Sequence, residues 1–138
     1  MQITPSSIDT QDGPADWFTG DVCVDAVAAP EATSTVAAAS VHFTPGTRTA
    51  WHIHPHGQTI FVTEAVGLCR REGGPIEEIR PGDRVFLEPG ENRLHGAAPN
   101  RFTVHIAMQQ NDETGHSGRA VFWGEHVTDE QCGGGRSA

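Results

Sequence analysis

The stretch "TAWHIHPHGQTIFV", Thr49 to Val62, decides the fold. Histidines 52, 54 and 56 stand at every second position, a Pro-x-Gly turn follows, and Gln58 opens a β-branched run. On a strand, residues two apart share a face, so His52 and His54 project to the same side about 7 Å apart and can converge on one point. Pro55 ends the strand and places His56 in the turn. The geometry suits a metal ion; it equally suits two hydrogen-bonded histidines on a polar strand face.

Working outward, short β-branched or alternating runs bounded by Gly, Pro, Asn or Asp recur about every ten residues. They cover 21–27, 34–44, 49–54, 58–66, 67–73, 84–89, 93–98, 101–110 and 120–126. Turns at 44–47, 54–57, 73–75, 80–83, 88–92 and 98–100 separate them. This rhythm predicts an all-β sandwich or barrel with little helix; the one helical candidate is 127–131, capped by Thr128. Residues 111–118 read as a polar loop, and "CGGGRSA" (132–138) as a tail too glycine-rich to order itself. The domain reading is an N-terminal arm (1–18), a β-barrel (19–126) and a C-terminal segment (127–138). No internal repeat is visible.

With 138 residues the chain forms one hydrophobic core and hence one domain. Its formal charge of -9, without a Lys/Arg cluster, argues against nucleic acid and anionic membrane as partners. No apolar run approaches the roughly 20 residues of a membrane span, and the N-terminus lacks a signal-peptide pattern, so a soluble, cytoplasmic protein is expected. Cys23, Cys69 and Cys132 form neither a disulfide framework nor a CxxC zinc motif. Lysine and tyrosine do not occur, which removes Schiff-base chemistry and a tyrosine acid and leaves His, Asp/Glu, Arg, Cys or a metal for catalysis.

Gly46-x5-His52-x-His54-x3-Gln58, followed by "RPGDRVFLEPGENRLHGAAP" (80–99), resembles the two conserved blocks of the cupin superfamily. With "GPADWFTG" (13–20), "HIAMQ" (105–109) and "EHVTDEQ" (125–131), the chain is similar to small bacterial cupins that include manganese-dependent hydroxynitrile lyases. The likeness spans about residues 13 to 131. It implies a single-domain cupin, a double-stranded β-helix or jelly-roll barrel, with a divalent metal inside. Manganese is implied first, with iron, nickel or zinc as alternatives. His52, His54 and Gln58 carry over as ligand positions.

The second block departs from the pattern. The family's fourth metal ligand, a histidine, falls at Arg93, its proline at Glu88, its asparagine at Ala97, and the first block's closing glycine at Ala65. A guanidinium neither loses its proton near neutrality nor replaces imidazole as a ligand. About 4 Å from a dication it would be repelled by roughly 8 kcal/mol at an effective dielectric near 20. Either Arg93 swings out, an anion bridges it to the metal, or no metal binds; His95 is the candidate substitute ligand.

Parity puts Arg93 and His95 on one face, and His105, Ala107 and Gln109 on another that the resemblance turns inward. The expected site is therefore His52, His54, Gln58 and His95 for a metal, with His105, His95, Arg93 and Gln109 as catalytic candidates. His42 is expected to face outward or to lie at an interface, His116 and His126 to be solvated, and Trp17, Phe18, Trp51, Phe122 and Trp123 to serve the core or a subunit interface. A homo-oligomer, a dimer or tetramer, is expected because short strands leave edges to cover. Four functions compete for a small-molecule substrate: a metal-dependent lyase of hydroxynitrile type, a metal-independent cyclase, dehydratase or isomerase using Arg93, a dioxygenase, and a binding module without turnover.

Overall fold

A computed structural model of the chain describes residues 1–5, 9–111 and 121–133. Among the described residues, thirteen strands form two sheets: β1 (Gln11–Asp12), β2 (Phe18–Thr19), β3 (Val22–Ala28), β4 (Val36–Phe43), β5 (Arg48–Thr49), β6 (His52–Ile53), β7 (Gln58–Ala65), β8 (Gly67–Arg71), β9 (Glu77–Ile79), β10 (Arg84–Leu87), β11 (Arg93–Ala97), β12 (Thr103–Gln110) and β13 (Phe122–Trp123). One sheet runs β1-β3-β4-β12-β7-β10. The other runs β13-β6-β11-β5-β2, with β8 also paired to β11 and β9 to β8. All pairings are antiparallel, and together they make a jelly-roll barrel.

The expected strands are present, with local corrections, among them β9 (Glu77–Ile79), which no expected run covers. The run at 49–54 is two strands, because the amides of Ala50 and Trp51 turn away to the carbonyls of Trp17 and Glu125. The N-terminal arm supplies edge strands to both sheets, β1 against β3 and β2 against β5. No helix forms among the described residues: Thr128 makes its reciprocal cap with Gln131 at 3.0 and 3.1 Å, but the segment closes as turns. Cys132, assigned to the unordered tail, is buried against Leu94 and Val127. The rest of that tail (134–138), most of the 111–118 loop, His116, and residue 120 of the last expected strand lie outside the described residues.

Ala65, at the family's glycine position, has φ of 58°, the left-handed region where a Cβ is penalised. It closes β7 just past a bulge, where pairing with β12 slips between Val104 and His105. Gly96 lies where β11 crosses β5: a Cβ there would stand 2.3 Å from the Thr47 carbonyl oxygen and 2.7 Å from Arg48 Cα. That close approach delivers the Thr49 hydroxyl to the His95 amide at 3.1 Å.

The apolar core is divided into small clusters, such as Val22, Val41, Phe43 and Ala97 at one end and Val62, Cys69 and Ile79 near the β7–β8 turn. The space between the sheets is taken by polar residues: His52, His54, Gln58, Arg93, His95, Thr103 and His105 are all buried. Burying so many polar groups costs stability unless each finds a partner, which makes this centre the candidate site.

Candidate functional site

Each expected side chain arrives by strand register. His52 on β6 is the cross-strand partner of Arg93 on β11, and His95 lies two residues further along the same face. His105 on β12 enters from the opposite sheet, across from Val41 and Val62. The imidazoles form a chain of edge-to-face neighbours: His54 to His52 with centroids 5.3 Å apart, His52 to His95 at 5.1 Å, and His95 to His105 at 4.9 Å. The outward calls also hold: His42 is exposed and stacked on Phe102, and His126 is exposed beside Thr19.

A cavity of about 520 Å³ opens onto this cluster. His52, His54, Gln58, His95 and Gln109 line it, whereas Arg93 and His105 are fully buried in the wall behind. Much of the remaining lining is apolar or aromatic and includes Phe18, Phe43 and Trp123. Trp123 stacks on Trp17 at 5.1 Å and lies 4.7 Å from the His52 ring. Thr49, Phe43 and Trp123 were not singled out as site residues; the inward parity of Phe43 and the position of Thr49 three residues before His52 were the available signals. A larger surface groove of about 750 Å³ lies along the N-terminal residues and the β3–β4 hairpin, and none of these histidines lines it.

The protonation states follow from burial and partners. Nδ1 of His52 is 2.9 Å from the Ala50 carbonyl, which can only accept, so Nδ1 carries the hydrogen and Nε2 keeps a lone pair. Burial pushes the His52 ring down to about 3, against the pull of that carbonyl, and pushes His105 down to about 4. His95 is held well below the usual imidazole value by burial first, then by His105, His52 and Arg93. These three rings are therefore neutral at pH 7. Neither ring nitrogen of His95 or of His105 has a hydrogen-bond partner among the described residues. Such orphaned buried groups call for a ligand, water or ion.

Arg93 is held differently. Its Nη1 donates to the Glu91 carbonyl at 3.1 Å, and its Nη2 donates to Oε1 of Gln58 at 3.2 Å. Nε2 of Gln58 in turn donates to Oε1 of Gln109 at 3.1 Å. Burial lowers the guanidinium to about 10, partly offset by Glu91, so it remains a cation at neutral pH.

This arrangement fits a divalent metal poorly. The oxygen that Gln58 would offer the ion is taken by Arg93, and the fourth ligand position is the arginine itself. Among the described residues, no three His, Cys, Asp or Glu side chains are grouped to hold an ion. A dication on Gln58 Oε1 would lie about 4 Å from the guanidinium, where roughly 8 kcal/mol of repulsion opposes it.

The two-sheet barrel with histidines converging inside it defines a cupin. The chain belongs to the cupin superfamily, in the same family as a curated relative, the (R)-mandelonitrile lyase of Granulicella tundricola. The two are 54% identical over 119 residues, which cover 86% of this chain and 88% of that one. Among solved structures, a cupin-like protein from Thermotoga maritima superposes with a TM-score of 0.82 at 32% identity, over 93% of this chain and 95% of the other. A polyketide cyclase from Streptomyces resistomycificus shares the fold, with a TM-score of 0.61 at 16% identity over 78% and 77% of the two chains. No family model matches the chain.

Proposed function

We propose that this chain is a lyase that releases cyanide from small aromatic 2-hydroxynitriles, with buried imidazole as its proton carrier and no metal in the chemical step. The observation that carries this reading is His95, which lines the cavity with a neutral ring and, among the described residues, has no hydrogen-bond partner at either nitrogen. The name and 54% identity of the Granulicella tundricola relative support the reaction class. The aromatic lining of Phe18, Phe43 and Trp123 supports an aromatic substrate, since stacked and edge-on rings bind favourably there.

His95 takes the hydroxyl proton of the substrate, the electron pair of that O–H bond forms the carbonyl, and the C–C bond to the nitrile carbon breaks. Cyanide leaves with that bond's electron pair and takes the proton back from His95, giving aldehyde and hydrogen cyanide. Protonated His95 is costly in this dry site, and this speeds the return of the proton. His52, with its Nδ1–H fixed on the Ala50 carbonyl, packs edge-on against His95 with centroids 5.1 Å apart and holds that ring in place.

The test is cyanide release from mandelonitrile by purified protein before and after exhaustive chelation. Release is expected to survive chelation and to fall roughly 100-fold or more in His95→Phe, the usual contribution of a positioned acid or base. Release that vanishes on chelation and returns with manganese would replace this reading with a Lewis-acid one. No release in either state would refute lyase function.

A further inference from the structure

The Arg93–Gln58–Gln109 chain has only one consistent sense. An arginine side chain has five N–H donors and no acceptor, so the Gln58 atom facing it must be oxygen. Gln58 then presents its nitrogen to Gln109, whose facing atom must also be oxygen. Two amide orientations that coordinates alone leave interchangeable are thus fixed by one buried cation. The outcome is directional: the Nε2 hydrogens of Gln109, and the second hydrogen on Gln58 Nε2, remain for the cavity that both residues line.

The cation at the head of the chain is incompletely satisfied. Among the described residues its Nε has no hydrogen-bond partner and no carboxylate pairs with Arg93. Glu91 touches Arg93 only through its main-chain carbonyl, while its carboxylate turns to the Glu88 amide at 3.0 Å, lies 3.8 Å from Arg71 and acts on Arg93 through space. A buried positive charge with no carboxylate in contact and only Glu91 acting on it through space raises the affinity of the adjoining cavity for an anion, and donors in series polarise one another.

We infer that Arg93 is a positioning residue that orients Gln58 and Gln109 as a pair of N–H donors, forming a subsite for a small monoanion at the Gln109 end of the cavity. It rests on the proposed lyase reading only in naming cyanide as the physiological anion. In that reaction the subsite receives the leaving group within the cavity that His95 also lines, so charge that develops as the C–C bond breaks meets donors already aimed at it before the proton returns from His95. The family's fourth-ligand position thus becomes the source of the site's positive charge.

The probe is thiocyanate, a linear monoanion that the enzyme cannot cleave, titrated into chelator-treated protein by calorimetry and by its nitrile stretching band. One saturable site is expected in the native protein, with the band shifted by hydrogen bonding. Arg93→Met should weaken binding roughly 10- to 100-fold, the range for hydrogen bonds to charged groups, while Arg93→Lys, which keeps a charge and a donor, should stay within a few-fold. Gln109 is partly exposed, so Gln109→Glu should fold normally; it places a carboxylate at the subsite and should abolish the site. It decides the matter if Arg93→Met does not fold. Unchanged binding in Gln109→Glu or in folded Arg93→Met, or no saturable site in the native protein, overturns the inference. Arg93-dependent binding without cyanide release supports it and sinks the lyase reading instead.

Discussion

Acidification should destabilise this protein from pH 6.5 downward, and the size of the effect follows from its buried imidazoles. In the open chain His52 and His105 titrate near 6.5, and in the fold they are held at about 3 and about 4. Both folded values are depressed, so the unfolded chain binds more protons at any pH between them, and stability is full above 6.5 and lost as pH falls. At pH 5 each ring withholds about 2 kcal/mol, and at pH 4 about 3 kcal/mol each, using 1.36 kcal/mol per tenfold difference in proton affinity. The pair then costs about 6 kcal/mol, a large part of the 5–15 kcal/mol typical of a domain. His95, shifted the same way, adds to the loss. Urea unfolding at pH 7, 6, 5 and 4 measures this directly, with His105→Leu as the control that removes one titrating ring. The expected result is a steep fall below pH 6.5 that is shallower in the variant. Equal stability at pH 7 and pH 5, or an identical slope in His105→Leu, would refute the claim that these rings are buried and neutral.

Two further predictions concern the frame that holds the site. Ala65→Gly relieves a left-handed residue at about 1–2 kcal/mol but adds roughly 0.5–1 kcal/mol of chain entropy. A net gain of about 1 kcal/mol is expected, seen as a Tm increase of about 3 °C by calorimetry. Gly96→Ala drives a methyl into the β5 backbone and should cost about 3 kcal/mol or more. Calorimetry should show a much lower Tm, with site function lost before the fold because His95 is parted from Thr49.

Much of the site was legible because strand geometry has a period of two. Parity put His52 with His54, Arg93 with His95, and His105 with Ala107 on single faces, and all six side chains are buried. Parity gives a direction and no depth, so it could not distinguish His95, which reaches the cavity, from His105 and Arg93, which stop behind it. The two-residue strands at Gln11–Asp12 and Phe18–Thr19 were invisible for another reason: such short pairings are set by the neighbouring strand and carry no local β-branched pattern. The helix expected at 127–131 has its cap but ends in "CGGG", where propagation is costly and Cys132 is instead drawn into the core. Ala65 and Arg93 were visible departures from the family pattern. Their consequences, a left-handed turn residue and a Gln58 oxygen hydrogen-bonded to Arg93, are seen only in the folded structure.

Manganese binding by the native chain and by Arg93→His, compared by elemental analysis and calorimetry, tests the central claim that a guanidinium has taken the metal's place. The native protein should purify with far less than one ion per chain and show no saturable manganese binding. Arg93→His, with the repulsion removed and the Gln58 oxygen released, should take up close to one. A native protein that retains one manganese per chain, or binds it as tightly as the variant does, would contradict the account.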